Sequence, residues 1–195
     1  MDRLVALIAF AFVSSATPGP NNVLLWASGA LFGLRRTARH IAGTALGIGA
    51  MALAVGAGLG ALIAAVPQLA FAMRVAGSLY LLFLAFQVAQ LHGLGHEGLA
   101  RPLGLRQAAA FQLLNPKAWI FALGAVTTFR PPDLDVVAGT ALVAATMMVV
   151  IIPSATLWAA AGGVLAGWLE DDRRRRAVSL VLAALIVLSV GSVWL

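Results

Sequence analysis

Two short motifs rich in proline and asparagine interrupt apolar stretches of this chain, and their polar groups are suited to binding a small solute. The motifs are Thr17-Pro18-Gly19-Pro20-Asn21-Asn22 and Asn115-Pro116-Lys117. They lie at nearly the same place in each half of the 195-residue chain. Helix breakers in corresponding segments of two halves indicate the binding site of a repeat-built transporter. We therefore expect the motifs to form one site through which a small solute crosses a membrane.

The first motif combines a break in the backbone with side chains that can bind a zwitterion. Pro18 and Pro20 lack amide hydrogens and clash with a continuing helix, whereas Gly19 permits a sharp turn. A half-helix that begins near Asn21 exposes free amides with positive dipole character, which suit a carboxylate. The side chains of Asn21 and Asn22 offer both donors and acceptors. The alternative interpretation is a structural kink.

The second motif carries Lys117, the only lysine of the chain, near the middle of an apolar segment. An ionisable group at that depth is costly, so a functional role is the default hypothesis. Lys117 could hold a substrate carboxylate or exchange a proton. The alternative is a lysine whose stem snorkels to a nearby interface, because Pro116 starts a helix there.

Few other residues in the apolar segments are polar enough for chemistry. Arg74 and Tyr80 are candidates for a gate or cavity wall, with snorkelling and aromatic packing as their alternatives. We predict no catalytic group and no cofactor. Every Asp and Glu lies outside the apolar segments, so a proton relay through buried carboxylates is not expected. His92 and His96 beside Glu97 have a metal-ligand spacing, but solvated loop histidines are commoner, so no metal is predicted.

The composition indicates an integral membrane protein. Hydrophobic residues make up 62% of the chain, charged residues 10%, and the mean hydropathy is +0.97. Soluble domains are about 45–50% apolar and about 25% charged. The absence of cysteine excludes disulfides and thiol chemistry. The net charge of +6 does not indicate a nucleic-acid partner, because the charges lie between apolar stretches.

We predict an all-α membrane protein with six transmembrane helices, of which the first and fourth are broken. The apolar segments cover residues 4–32, 41–66, 69–91, 105–129, 136–169 and 177–195. The start resembles a signal peptide, but the apolar run resumes at Val23, which favours a spanning segment. Three segments in each half give the halves opposite orientations, which predicts a 3+3 inverted repeat. Residues 1–195 then form one transport domain, with halves of roughly 1–97 and 98–195.

The arginines predict the orientation of the chain in the membrane. Most of the 13 Lys and Arg residues flank one end of the predicted segments. They are Arg35, Arg36, Arg39, Arg101, Arg106, Arg173, Arg174, Arg175 and Arg176. The positive-inside rule places this end in the cytoplasm and both termini outside. The run from Arg173 to Arg176 is interpreted as a topology anchor, with binding of anionic lipid as a second interpretation.

Glycines four residues apart recur in the apolar segments and predict close packing between helices. The pairs are Gly29 and Gly33, Gly43 and Gly47, Gly56 and Gly60, and Gly163 and Gly167.

The motifs together resemble the LysE/RhtB family of bacterial amino-acid exporters. The resemblance rests on residues 16–22 with Gly29 and residues 33–36, on residues 42–47, on residues 74–85, and on residues 113–119. It spans the whole chain in order and length. Some family members carry an acidic residue where this chain has Ile48-Gly49, which disfavours a cationic substrate here.

The resemblance implies a transporter and not an enzyme. It implies a multi-pass protein of the bacterial inner membrane that exports amino acids or their derivatives, with proton antiport and without ATP. Its partners would be a small amino acid and membrane lipids, and a homo-oligomer stays open. The implied substrate site is Thr17, Pro18, Pro20, Asn21, Asn22, Asn115, Pro116 and Lys117.

Three other functions stay open from the sequence. An exporter of another small solute or ion is one, although the lack of intramembrane acids and thiols argues against a metal. A membrane redox protein is a second, and the absence of cysteine excludes its thiol form. A non-transporting assembly protein is the third, and it leaves Lys117 and the paired breaks unexplained.

Overall fold

The described secondary structure of this chain is entirely helical. The structure is a computed structural model that describes residues 2–90, 101–164 and 171–194. The helices are α1 (Asp2–Ala16), α2 (Pro20–Gly56), α3 (Leu59–Ala65), α4 (Pro67–Ala89), α5 (Leu105–Leu114), α6 (Pro116–Phe129), α7 (Val136–Val164) and α8 (Asp172–Trp194). By length and apolar composition, α2, α4 and α7 can cross a membrane. The all-α class is confirmed, and the six-span repeat stays a prediction.

Both motifs interrupt the helices at the predicted places. Between α1 and α2 the chain is extended at Gly19, with φ −175° and ψ 171°, and Pro20 is the first residue of α2. Between α5 and α6 only Asn115 is extended, with φ −95° and ψ 107°, and Pro116 is the first residue of α6. Proline suits this position because its missing amide would have no intrahelical partner and its φ is already helical.

The first two predicted segments are two helices that meet at a sharp kink at Gly33, and they are not separated by the predicted loop. α2 runs through residues 33–40 and bends at Gly33, where φ is 75° and ψ is 165°. This left-handed backbone favours glycine, which has no Cβ to clash. Arginine is a good helix former. The arginines that the sequence predicts in a loop lie on the exposed side of this helix. Thr37 and His40, on the same stretch, are buried.

Other segment boundaries also differ from the predicted ones. The second segment ends at Gly56, and Gly58 turns the chain in a left-handed conformation into α3. α8 starts at Asp172, so the run of arginines that was assigned to a loop forms its first turn. The predicted ends of the third and fifth segments, at residues 91 and 165–169, lie outside the described residues.

Close backbone contacts at glycines hold α2 against its neighbours. α2 and α7 share the most extensive interface. A Cβ on Gly29 would clash with the carbonyl of Ala159, and one on Gly47 would clash with the backbone of α5 at Ala109. The predicted packing role therefore holds for these glycines, but not for Gly33, which has open space around it and forms the bend. Gly167 lies outside the described residues.

Two apolar clusters surround the breaks. One joins α1, α2, α6 and α7 through residues such as Met51, Phe121 and Met147. The other joins the first part of α2 to α4, α5 and α8 through residues such as Leu24 and Phe111. Asn115 lies in the chain between Phe111 of one cluster and Phe121 of the other. The asparagines of the breaks, Asn21, Asn22 and Asn115, are buried next to these clusters, whereas Thr17 is exposed.

Contacts along the helices also show which ends lie together. Phe10 of α1 packs on Phe129, and the Arg130 side chain lies against Gly139. The start of α1, the end of α6 and the start of α7 therefore share one end of the molecule. Gly29 packs on Ala159 near the other end of α7, so the bend of α2 and the arginines that follow it lie at the opposite end.

Candidate functional site

The Lys117 ammonium joins the two breaks directly. Its Nζ donates to the Thr17 carbonyl at 2.6 Å, to Thr17 Oγ1 at 2.8 Å and to the Pro18 carbonyl at 3.3 Å. The break after α1 leaves these carbonyls without intrahelical partners, at the end of the helix where the dipole is negative. A cation from the second break therefore satisfies acceptors that the first break exposes.

Gly19 makes room for the stem of this lysine. A Cβ on Gly19 would lie 2.9 Å from Lys117 Cδ and 3.2 Å from its Nζ. The backbone at Gly19 is extended, which any residue can adopt. The lack of a side chain at this position matters for space and not for backbone conformation.

A buried network of side chains connects the asparagines of the two breaks. Asn21 Oδ1 accepts hydrogen bonds from Gln112 Nε2 at 3.1 Å and from Thr44 Oγ1 at 3.2 Å. Gln112 Oε1 accepts from Asn115 Nδ2 at 3.4 Å. All four residues are buried. Gln112 thus bridges the break of α1–α2 to the break of α5–α6, and Thr44 ties both to the second part of α2.

The end of α1 is held by two further side chains. Asn22 Nδ2 donates to the carbonyls of Ser15 and Thr17 at 2.7 and 2.8 Å. Trp158 Nε1 of α7 donates to the Ala16 carbonyl at 3.2 Å. With Lys117, these donors serve the last carbonyls of α1, which a broken helix would otherwise leave unpaired.

The Asn115 side chain keeps one acceptor free. Its Oδ1 is buried and, in the part of the chain that the structure describes, has no hydrogen-bond partner. A buried polar atom without a partner costs about 1–3 kcal/mol. Because Asn115 lines the pocket between the breaks, this free acceptor marks a position where a bound molecule can donate a hydrogen bond.

The pocket between the breaks is small and nearly uncharged. Its volume is about 50 Å³, room for roughly three to five water molecules. Its lining is Ser14, Ser15, Gly19, Asn21, Asn22, Thr44, Ile48, Gln112, Asn115, Lys117, Ala118, Phe121, Ile151 and Ala155. Lys117 is the one charged residue among them, and no carboxylate faces it.

The structure brings most of the predicted site residues to this pocket. Gly19, Asn21, Asn22, Asn115 and Lys117 line it. The others contribute from outside the lining. Thr17 and Pro18 bind Lys117, while Pro20 and Pro116 start the half-helices.

Arg74 and Tyr80 do not reach the pocket. Arg74 is exposed on a separate groove of about 210 Å³ between α4 and α6. Tyr80 packs against the rings of Phe83 and Phe111. His92, His96 and Glu97 lie outside the described residues.

Several lining residues were missed by reasoning from the sequence. They are Ser14, Ser15, Thr44, Ile48 and Gln112. Gln112 carried a usable signal, because it is a polar residue inside an apolar segment and lies one turn before Asn115. The sequence signal for Thr44 is weaker, because Thr44 follows Gly43 in a segment for which we predict only close packing between helices.

The sequence of this chain is similar to those of known proteins. A family model described as LysE type translocator matches residues 12–193. The chain is similar to cysteine/O-acetylserine efflux proteins. That of Escherichia coli (strain K12) is 29% identical over 147 residues, covering 73% of this chain and 74% of the relative. That of Salmonella typhimurium is 27% identical over 146 residues with the same coverage. No solved structure matches.

Proposed function

The chain belongs to the LysE type translocator family, and from this premise we propose that it exports a small amino acid or amino-acid derivative from the cytoplasm. It is a transporter and not an enzyme. The observation that carries the proposal is the contact of Lys117 with Thr17 and Pro18, because it joins both helix breaks at a small pocket. Broken helices that meet in this way are typical of substrate sites in transporters.

The pocket favours a small substrate with an uncharged side chain. Its volume of about 50 Å³ leaves little space for a large side chain. No lining residue is acidic, so a second positive charge on the substrate would have no partner. The relatives named as cysteine/O-acetylserine efflux proteins support this size and charge.

The proposed pose uses both ends of the amino-acid zwitterion. The substrate carboxylate binds Lys117 and the free amides at the start of the half-helix near Asn21. The substrate ammonium donates to Asn115 Oδ1, which is buried without a partner among the described residues, and to carbonyls that the breaks expose. The substrate ammonium then meets an acceptor that has no other partner among the described residues.

Binding in this pose competes with the contact that closes the site. All three hydrogens of the Lys117 ammonium are engaged by Thr17 and Pro18. A substrate carboxylate must replace at least one of these acceptors. We therefore propose that substrate binding loosens the contact between the breaks and lets the two halves move against each other.

The proposed architecture is one transport domain of residues 1–195 with six spans. In it, α1 with the first part of α2 forms span one, the second part of α2 forms span two, and α4 forms span three. The broken pair α5 and α6, then α7, then α8 form the other half, so that the halves, roughly 1–97 and 98–195, are an inverted 3+3 repeat. Its support is the position of the two breaks in corresponding spans.

The membrane and the energy source complete the proposal. The chain is a multi-pass membrane protein, and we propose the bacterial inner membrane with the arginine-rich end in the cytoplasm. Proton antiport is the proposed coupling. It is tested in vesicles that contain the purified protein, where collapsing the pH gradient with a protonophore should abolish accumulation of the substrate against its gradient.

An export assay tests the function. Cells that express the protein are loaded with amino acids by dipeptide feeding, and the extracellular pool is measured over time. Faster release of cysteine, O-acetylserine or a similarly small amino acid supports the proposal. Unchanged release of every amino acid, with the protein present in the membrane, would overturn it in favour of another solute or a non-transport role.

A further inference from the structure

A cleft bordered by five arginines opens at the end of the molecule that lies opposite the start of α1. Arg35, Arg36 and Arg39 come from α2, and Arg101 and Arg106 come from the chain at the start of α5. The cleft has a volume of about 970 Å³ and shares no lining residue with the pocket between the breaks.

The bend of α2 and the packing of α5 bring these charges together. The chain turns at Gly33, just before the first arginines. Arg35 and Arg39 are four residues apart on a helix and so share a face. A Cβ on Gly43 would clash with the backbone of Leu105, so α5 starts directly against this part of α2. The cleft is therefore a product of the helix contacts and not of chain ends that happen to be near.

The five guanidinium groups have no anionic partner in the described structure. Within residues 2–90, 101–164 and 171–194, the ion pair between side chains is that of Arg175 with Asp172 on α8. None of the cleft arginines makes an ion pair or side-chain hydrogen bond with a described residue. Like charges that converge repel each other, and a bound anion would offset that repulsion.

We propose that this cleft binds the phosphate head group of an anionic phospholipid. Arginine binds phosphate oxygens through two parallel hydrogen bonds and holds them in a fixed geometry. The cleft also contains Phe32 and Leu105, and Leu31 and Leu34 beside it are exposed. These apolar side chains give an acyl chain a surface, which a free phosphate ion does not need. Basic pockets between spanning helices suit this class of ligand.

Two simpler functions for these arginines explain less. The orientation of the chain in the membrane requires positive charge near the cytoplasmic helix ends, but it does not require that these charges line one cleft. Arg173 and Arg176 on α8 also supply such charge. Attraction of the transported molecule is weak, because an amino-acid zwitterion has no net charge for the field to act on.

Lipid titration of the purified full-length protein tests the proposal. The melting temperature in detergent is followed while phosphatidylglycerol is added, with phosphatidylcholine of the same acyl chains and inorganic phosphate as parallel series. We expect a saturable rise with phosphatidylglycerol only. Each arginine near an anionic surface strengthens binding about fivefold, so Arg39→Gln/Arg101→Gln should raise the half-saturating concentration about 25-fold.

A matched variant separates the cleft from overall charge. Arg173→Gln/Arg176→Gln removes the same number of charges from α8 and should change half-saturation by less than about twofold, since neither residue lines the cleft. Equal weakening in both double variants would overturn the proposal in favour of bulk attraction. An equal rise with phosphatidylcholine, or the same rise with inorganic phosphate alone, would also overturn it.

A second variant keeps the test valid if the glutamine variant is unstable. Arg39→Lys/Arg101→Lys preserves every charge and therefore the membrane orientation. It should still weaken phosphatidylglycerol binding several-fold, because lysine cannot make the two parallel bonds. Unchanged binding would contradict a built phosphate site. The proposal depends on membrane insertion but not on export, so intact export with lost lipid binding, or the reverse, identifies which of the two proposals fails.

Discussion

The two helix breaks have similar backbones but contribute opposite chemical groups. The first spans residues 17–19, with Pro18 inside it and Pro20 directly after it, and its Thr17 and Pro18 carbonyls accept hydrogen bonds from Lys117. The second is the single residue Asn115, whose carbonyl is used by the amides of Ala118 and Trp119 in α6. The first break, of three residues, therefore offers carbonyl acceptors to the second break. The carbonyl of Asn115 is instead occupied by amides of its own helix.

This difference explains why the proposed site needs both breaks. The first break offers carbonyl acceptors to a cation, and the second break supplies Lys117 at its second helical position. The asparagines of the two breaks also differ in the hydrogen bonds that their side-chain oxygens accept. Asn21 Oδ1 accepts from both Gln112 and Thr44, whereas Asn115 Oδ1 has no partner among the residues that the structure describes. A site of this kind is asymmetric even where the backbone elements that carry it are alike.

The largest effect is expected where the two breaks meet. Lys117→Met should lower export at least about a hundredfold, because it removes the cation that joins the two breaks and misplaces the groups that bind substrate. Release from loaded cells measures it, at equal protein in the membrane. Arg74→Met is the matched control, since Arg74 is also a cation in an apolar helix but lies outside the pocket. Equal loss in both variants would contradict a specific role for Lys117.

A methyl group placed between the breaks should give the next largest effect. Gly19→Ala puts a Cβ 2.9 Å from Lys117 Cδ, and the lysine stem must move away from the Thr17 carbonyl. We expect export to fall about tenfold, the factor that corresponds to about 1.4 kcal/mol. Gly191→Ala on α8 is the control, because nothing lies within 4 Å of a Cβ there. Unchanged export by Gly19→Ala would show that the breaks do not need close contact.

The bridge between the asparagines should matter more for affinity than for maximum rate. Gln112→Leu keeps the size of the side chain but leaves the Asn115 amide without its partner and Asn21 with Thr44 alone. A lost buried hydrogen bond of about 1–2 kcal/mol corresponds to an apparent affinity about five- to thirtyfold weaker. The concentration dependence of uptake into inside-out vesicles measures it. A lower maximum rate at unchanged affinity would assign Gln112 to the movement of the halves and not to the site.

The smallest effect is expected from a single bond at the edge of the network. Thr44→Val removes the 3.2 Å hydrogen bond to Asn21, while Gln112 still donates to the same oxygen. Apparent affinity should weaken about two- to fivefold, as expected for a net loss of about 0.5–1 kcal/mol. Thr146→Val is the control, since its hydroxyl bonds only the Leu142 carbonyl within α7. An effect of Thr44→Val as large as that of Gln112→Leu would contradict the proposed order of the network.

The helix breaks were predictable from the sequence because proline acts locally. Pro20 and Pro116 stop one helix and start the next through their own ring geometry, whatever the surroundings. The position of Lys117 in an apolar segment likewise makes it a candidate for a functional role without a structure. These local effects accounted for the positions of both breaks and for the main candidate side chains.

Features that depend on packing were not predictable in the same way. The helix through Arg35, Arg36 and Arg39 was assigned to a loop, because its buried side is visible only when α5 and α7 are in place. Gln112 is visible in the sequence as a polar residue in an apolar segment, but its hydrogen bond to Asn21 in another helix is not. Gly33 and Gly29 look alike in sequence, yet one bends the helix and the other packs against Ala159.

Substrate binding by the purified protein tests the central claim most directly, namely that the two breaks together form the substrate site. Calorimetric titration with O-acetylserine would compare the wild type, Lys117→Met and Arg74→Met. We expect saturable binding by the wild type and by Arg74→Met, and a loss of at least about tenfold in affinity for Lys117→Met, as for a charge-assisted hydrogen bond of about 1.5–3 kcal/mol. Unweakened binding by a folded Lys117→Met protein would contradict the account, because the substrate would then be held elsewhere.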